Sequence, residues 1–303
     1  MAVRLPVPGT RGASVALTTP EPAQASLWTD AWRRLRRNRL ALAAAIYLVL
    51  LVGVALLALF YTPYRMSATG IAPDFAPPSL AHWLGADNLG RDQLSRLMIG
   101  AQISLIVGVG TQLLVLAVGV PIGLLAGYYR GWLDSVVTFV INVFYGVPDL
   151  LVALILVFLL GPSLANIIIA IVVTRWMDMA RLVRGQTLAL REREFVEAGR
   201  ASGAKPIKML FGHIMPNALG PIIVQATFGV PAAILFEAFL SFLGAGVQQP
   251  TPSWGSMAKD GVDAIRFAPH MVIAPSIALS LTLMAFNFLG DGLRDALDPR
   301  SRR

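Results

Sequence analysis

Cysteine is absent from the 303 residues, so neither disulfides nor thiol chemistry contributes to fold or function. Charge is scarce as well. Asp, Glu, Lys and Arg make up 14% of the chain, against about a quarter in ordinary soluble domains, which is too little to cover a water-facing surface. Signatures of nucleotide and metal chemistry are also missing. "EAGRASGAKP" (197–206) has the ingredients of a phosphate loop. However, Gly199 and Gly203 are separated by three residues instead of four, Ala204 stands where lysine is needed, and Pro206 follows Lys205 in place of a magnesium-binding hydroxyl. There is no HExxH, no Cys/His cluster and no GxSxG elbow. His82, Asp87 and Asp92 share one loop, but at a spacing that matches no metal-ligand pattern. The chain is therefore expected to bind no metal or cofactor of its own and to catalyse no reaction.

Apolar residues are what it has in quantity: 56% are hydrophobic and the mean hydropathy is +0.66. Residues 40–64, 97–129, 150–174, 209–236 and 267–290 carry no Asp, Glu, Lys or Arg. Each run exceeds the roughly 18 to 20 residues a helix needs to cross the hydrocarbon core. A further stretch, 135–160, is as apolar except for Asp149. The expected fold is an all-α polytopic membrane protein with six transmembrane helices, at about 40–61, 101–127, 135–160, 165–182, 218–243 and 270–291. A net charge of +8 would suit nucleic acid, but the charges gather at the ends of apolar runs and not on one amphipathic face. With the N-terminus in the cytoplasm, 19 of the 25 Lys and Arg residues fall inside. That asymmetry places both termini in the cytoplasm. The long basic lead and the apolar run of about 22 residues do not fit a cleavable signal peptide.

Residues 1–26 read as a disordered tail. Within 1–39, "LWTDAWRRLRRNRL" (27–40) spaces its rings and arginines as a helix would, and suits the inner-leaflet surface and its lipids. Residues 62–100 form an extracytoplasmic segment, 101–291 a five-helix core with a long cytoplasmic loop at 183–216, and 292–303 a cytoplasmic tail. Gly119, Gly123 and Gly127 recur every fourth residue, as a closely packed helix seam requires. Pro121, Pro148 and Pro231 fall inside apolar runs, where proline kinks a helix. Asp149, Arg175, Asp178 and Glu237 lie in or near such runs, where an ionisable residue is expensive and a candidate for function. Two readings stay open: a pathway for a cationic solute such as a peptide amino terminus, or an interhelical clasp with Arg175 or with a partner subunit. A secondary transporter driven by an ion gradient through Asp149 and Glu237 is the alternative from another class.

Extended to the next span, the opening segment is "EFVEAGRASGAKPIKMLFGHIMPNALGPIIV" (194–224). It resembles the EAA loop of ABC-importer permeases: Glu-Ala-Ala, three residues, Gly, then about a dozen residues to a hydrophobic-x-Pro element. Glu197-Ala198-Gly199 stands for Glu-Ala-Ala, Gly203 is the turn glycine, and Ile214-Met215-Pro216 closes the motif. "HWLGADNLGRDQLSRLMIGAQISL" (82–105), "LSFLGAGVQQPTPSWGSM" (240–257) and "FNFLGDGLRDALDPR" (286–300) resemble the peptide/nickel branch, the DppC/OppC-like permeases, with Trp83 and Ala86 as departures. The resemblance runs from about residue 28 to the end. It implies a type I importer permease in a bacterial cytoplasmic membrane, with partners comprising a second permease (DppB/OppB-like), two ATP-binding subunits that hold ATP and magnesium, and an extracytoplasmic solute-binding protein. It also implies that the cytoplasmic EAA loop docks on the ATPase through Glu197, Ala198, Gly199, Gly203, Ala204, Pro206, Ile214 and Pro216. Gly199 in place of alanine lowers local helix propensity by roughly 1 kcal/mol, which leaves the start of that helix open.

Overall fold

The computed structural model describes residues 27–297, and the expected disordered tail at 1–26 lies outside them. Among the described residues the regular elements are helices, with one isolated antiparallel bridge between Ala86 and Asp92. The chain opens with α1 (Leu27–Arg37) and α2 (Arg39–Leu57), hinged at Asn38. The Asn38 side-chain oxygen accepts from the Leu40 and Ala41 amides, both at 3.1 Å, and so satisfies two of the orphan donors at the start of α2. The hinge turns α1 onto the last helix, α11 (His270–Leu297), where Gly292 leaves room for Leu35 and Ala41. The segment expected to lie on lipid is thus also docked on protein, with Trp32 left exposed and Arg36 stacked 5.0 Å over its ring.

Four stretches are long and apolar enough to cross a membrane: α2, α3 (Gln93–Tyr129), the continuous run Pro206–Phe242, and α11. A fifth is obtained if α4 (Gly131–Tyr145) and α5 (Asp149–Leu160), bent by 88° between them, count as one span. The expected six spans differ from this at two places, each for a physical reason. Residues 135–160 are two helices, because Pro148 lacks an amide donor and biases Val147 away from the helical region. Residues 165–182 belong to α6 (Leu164–Leu190), which is long enough to cross. Arg175, Asp178, Arg181 and Arg184 interrupt its apolarity.

The tightest seam joins α3 to α6. A Cβ at Gly119 would stand 2.8 Å from Met179 Cβ, one at Gly123 2.6 Å from the Ala180 carbonyl, and one at Gly127 2.7 Å from Thr187 Cβ. Small residues every fourth position let the two backbones meet, as in close-packed membrane helices. Apolar side chains beside the seam, among them Val115, Leu124, Met179 and Val183, continue into Ile214 and Ile222 of the neighbouring run. The glycine spacing noted in the sequence is therefore a packing device.

Residues between α2 and α3 are held by ion pairs buried from solvent. Asp87 accepts from the Leu89 and Arg91 amides at 2.9 and 3.0 Å, and its other oxygen lies 2.6 Å from Arg91 Nε and 3.4 Å from Arg96 Nε. Arg91 reaches on to Gln249 at 2.8 Å, and Arg96 to the Pro250 carbonyl. Asp92 caps α3 through the Ser95 amide and pairs with His82 at 2.9 Å. These contacts tie the loop before α3 to the loop before α10 (Trp254–Asp263). Burial pushes the Asp260 carboxyl of α10 upward, against the pull of Arg96. His82, Asp87 and Asp92 thus use their polar groups on protein partners, and no metal-ligand cluster occurs among the described residues.

Gly123→Val should lower the melting temperature of the detergent-solubilised protein by several degrees. Gly110→Ala, whose nearest new contact would be Ile168 at an ordinary 3.8 Å, should leave it within about a degree. Equal shifts would show that close approach at the seam does not hold the helices together. Asp87→Asn would leave Arg91 and Arg96 short of their shared counter-charge. Its expected cost is about 3–5 kcal/mol, seen as loss of the monodisperse species on size exclusion, while Asn at the exposed Asp74 should be neutral.

Candidate functional site

The break between α4 and α5 sits in the middle of an apolar stretch and exposes Gly146, Val147, Pro148 and Asp149. Non-helical backbone cannot face hydrocarbon, where its free polar groups find no partner. It is tolerated at membrane depth only against protein or a water-filled cavity. The side chains around the break obey the same restriction, since they pair rung by rung with the facing side of α6. Asp149 meets Arg175 at 3.0 Å. Tyr145 donates its hydroxyl hydrogen to Asp178 in a short contact. Arg181 bonds Asn142 at 3.2 Å and stacks 4.2 Å over the Tyr145 ring. Arg184 grips Asp134 with two nitrogens, one of them at 2.9 Å. Arg175, Asp178, Arg181 and Arg184 recur every third residue, so they share one side of α6.

Behind the uppermost rungs lies a cleft between α3, α6 and α9 (Met215–Phe242). Thr111 and Gln112 of α3, Arg175 and Asp178 of α6, and Gln225 of α9 supply its polar lining, and Phe228 part of its apolar wall. Arg175 is held from two further directions, by Asp149 and by the Phe236 ring 4.8 Å away. Of the four charges singled out in the sequence, three therefore converge here. Asp149 and Arg175 form a clasp, and Asp178 lies one turn along. Glu237 is elsewhere. It is fully buried on α9, accepts from Ser241 Oγ at 2.5 Å, and makes no ion pair with Arg175. Asn142, Tyr145, Gln112 and Gln225 were not singled out in the sequence. Uncharged polar residues are common in apolar helices, and only the three-residue charge period of α6 hinted at partners.

At the other end of α6, residues 194–214 form a hairpin. α7 (Glu194–Ala201) runs straight through Gly199, so the missing alanine does not delay the helix. The glycine makes room for Met209, whose sulfur would lie 2.8 Å from a Cβ there. Gly203 turns the chain with φ +78°, a conformation that β-carbon sterics disfavour in other residues. The turn is closed by the Gly203 amide on the Arg200 carbonyl at 2.9 Å and the Ala204 amide on the Gly199 carbonyl at 3.1 Å. Pro206 begins the single turn α8 (Pro206–Met209), where no amide donor is needed. A five-residue π-helical stretch, Leu210–Ile214, then leads into α9. Val196, Met209, Leu210 and Ile214 are buried in the cluster under the α3–α6 seam. Glu197, Ala198, Arg200, Ala201, Ser202, Gly203, Lys205, Pro206 and Pro216 are exposed, and Ala204 is half-buried. The exposed apolar side chains Phe195, Ile207 and Phe211 stand among them. The hairpin thus has an apolar root fixed in the bundle and a free tip of small, charged and aromatic residues.

Comparison with known proteins agrees with this architecture. Residues 119–303 match the family described as binding-protein-dependent transport system inner membrane component. Residues 26–78 match the N-terminal transmembrane domain of oligopeptide transport permease C. The chain is 47% identical over 276 residues to the dipeptide transport system permease DppC of Bacillus subtilis, covering 90% of this chain and 86% of that one. To the oligopeptide permease OppC of the same organism it is 44% identical, covering 92% and 91%. To the glutathione permease GsiD of an Escherichia coli strain it is 43% identical, covering 90% of each. The fold is similar to that of a chain in the inward-facing MetNI methionine ABC transporter, with a TM-score of 0.55, 21% identity, and coverage of 67% of this chain and 96% of that one. A family model matched over more than half its length, and relatives above two-fifths identity along nine-tenths of it, show that this chain belongs to the inner membrane components of binding-protein-dependent transport systems.

Proposed function

We propose that the chain is one of two permease subunits of an ATP-driven peptide importer in a bacterial cytoplasmic membrane, with both termini in the cytoplasm. In this reading α6 and the bent α4–α5 pair join the four apolar stretches as a six-helix, type I bundle. The polar side of α6 faces the translocation path, where water and the second permease relieve its charges. Relatives named for dipeptide, oligopeptide and glutathione transport support a peptide substrate. An extracytoplasmic solute-binding protein delivers that substrate, and two ATP-binding subunits hold the ATP and magnesium.

The observation that carries the reading is the hairpin: a protruding tip whose root is continuous with a helix lining the cleft. Pro206–Phe242 forms one 37-residue run, so a displacement of the tip is transmitted along α9 to Gln225 and Phe228. The exposed small residues Ala198, Ala201 and Ser202 let a partner surface approach, and Glu197 offers a carboxylate for charge-assisted bonds. ATPase closure would pull on residues 197–216 and switch the bundle between outward-open and inward-open states, a rigid-body alternation.

Reconstituted with its partner subunits in proteoliposomes, the chain should support uptake that stops when the ATPase carries an inactivating substitution. Uptake that persists, or that follows an imposed proton gradient, would favour an ion-driven carrier and overturn the importer reading. Glu197→Lys and Gly203→Val should each abolish co-purification with the ATPase while the permease still inserts. For Gly203 the left-handed backbone alone costs a side chain about 1–2 kcal/mol. Undiminished co-purification in both variants would remove the hairpin as the docking element.

A further inference from the structure

The cleft between α3, α6 and α9 has features that packing does not explain. The Thr111 hydroxyl is sealed in the bundle without a hydrogen-bond partner, and so is Arg175 Nε, although Arg175 spends another nitrogen on Asp149. The two line the same cleft from facing helices. Glycine at 229 makes room for the Gln112 carboxamide, which occupies the position where a β-carbon would lie. Buried polar groups in membrane helices normally find a partner, and those left without one mark sites of function.

The charges around the cleft balance. Asp149 neutralises Arg175 across the break, and Asp178, bonded by Tyr145, is offset by Arg181 on the same ring. A lone cation or a lone anion would therefore gain little. A molecule with both charges can exchange with both sets of partners at once. Arg175 and Asp178 are three residues apart on α6, which sets their β-carbons about 5–6 Å apart. The ammonium and carboxylate ends of a short peptide, whose consecutive Cα atoms lie about 3.8 Å apart, fall in that range. Arg175 is half-buried and Asp149 exposed, and exposed ion pairs are worth about 0–1 kcal/mol, so exchange is cheap. Transit through a pathway needs such weak holding, favourable enough to enter and loose enough to leave.

We propose that this cleft is a way-station for the zwitterionic ends of a peptide in transit. Arg175, steadied by Phe236, takes the α-carboxylate, Asp178 takes the α-ammonium group, and the Thr111 hydroxyl and the Gln112 and Gln225 carboxamides take the main-chain amide. The assignment deepens the peptide-importer reading and rests on it.

The test uses the complete importer in proteoliposomes with L-alanyl-L-alanine as probe, reading dipeptide imported per ATP hydrolysed. Asp178→Asn and the double variant Asp149→Asn/Arg175→Gln are compared with the unsubstituted complex. The double variant leaves neither member of the clasp charged and alone. Each should lower the ratio about tenfold. If these residues only hold helices together, import and hydrolysis fall in step, or the double variant regains full import; either result overturns the proposal. A second measurement uses the absence of native cysteine in this chain. With the other subunits made cysteine-free, Gln225→Cys should react with a sulfonate-bearing thiosulfonate reagent, and alanyl-alanine should slow the reaction during turnover. Adding Arg175→Gln should abolish that protection; protection that survives it, or a thiol that never reacts, contradicts the assignment. Failure of the importer reading itself is distinguishable, because it would show as ATP-independent uptake in the unsubstituted complex.

Discussion

Hydrocarbon offers no partner to a free amide, carbonyl or charge, and the break at Gly146–Val147–Pro148 brings that constraint to the centre of this molecule. A proline in an apolar run ends one helix and forces an 88° change of direction before the next. The side chains around the break, Asp149 among them, then need partners that lipid cannot supply. α6 supplies them, with a charge every turn from Arg175 opposite Asp149 to Arg184 opposite Asp134. That polar side is possible because the opposite side of α6 is committed to α3 through Gly119, Gly123 and Gly127. One helix thereby serves as both wall and lining, held at its back by close packing and paired at its front by hydrogen bonds and ion pairs.

The two ends of the bundle are built on different physics. Beyond α2 and before α10 the chain is pinned by charges out of reach of water: Asp87 shared between Arg91 and Arg96, and Asp92 divided between His82 and the start of α3. Removing one partner from such a hub strands the others, so the cap is either intact or lost. The hairpin at 194–214 is anchored by apolar contacts at its root and by Arg200 stacked on the Tyr128 ring, and its tip is closed by a few backbone hydrogen bonds around Gly203. The cap is thus fixed by buried charge and the hairpin by its root, and α9 touches both α10 and the hairpin.

Motifs were readable where local chemistry dictates local structure. Gly203 adopts the positive φ expected of a turn glycine, and Pro206 stands at the first turn of the helix that follows. Gly199 shows the limit of such reading. As a departure from alanine it suggests a weakened helix, yet its role is to admit Met209, ten positions on and adjacent only after the hairpin closes. The count of apolar helices differs from the expected six spans for a related reason. Apolarity along 135–160 is a property of composition, whereas the bend follows from Pro148, and the partners of the side chains around it come from α6. The spacing of His82, Asp87 and Asp92 argued against a metal site but did not reveal their ion pairs, because Arg96 and the loop at 249–250 reach this cluster through space.

The residues alone determined that this chain lives in a membrane, that it carries no phosphate loop or thiol of its own, and that it turns at Gly203 between long apolar runs. Those conclusions follow from period, composition and the steric limits of glycine and proline, which act within a few residues. Which intramembrane charges meet was decided by tertiary structure only. Asp149 and Arg175 are separated by the whole of α5, a short loop and about three turns of α6, while Glu237 turns toward serines and away from them. Pairing across helices depends on their relative rotation and crossing, and sequence spacing along one helix does not contain that information.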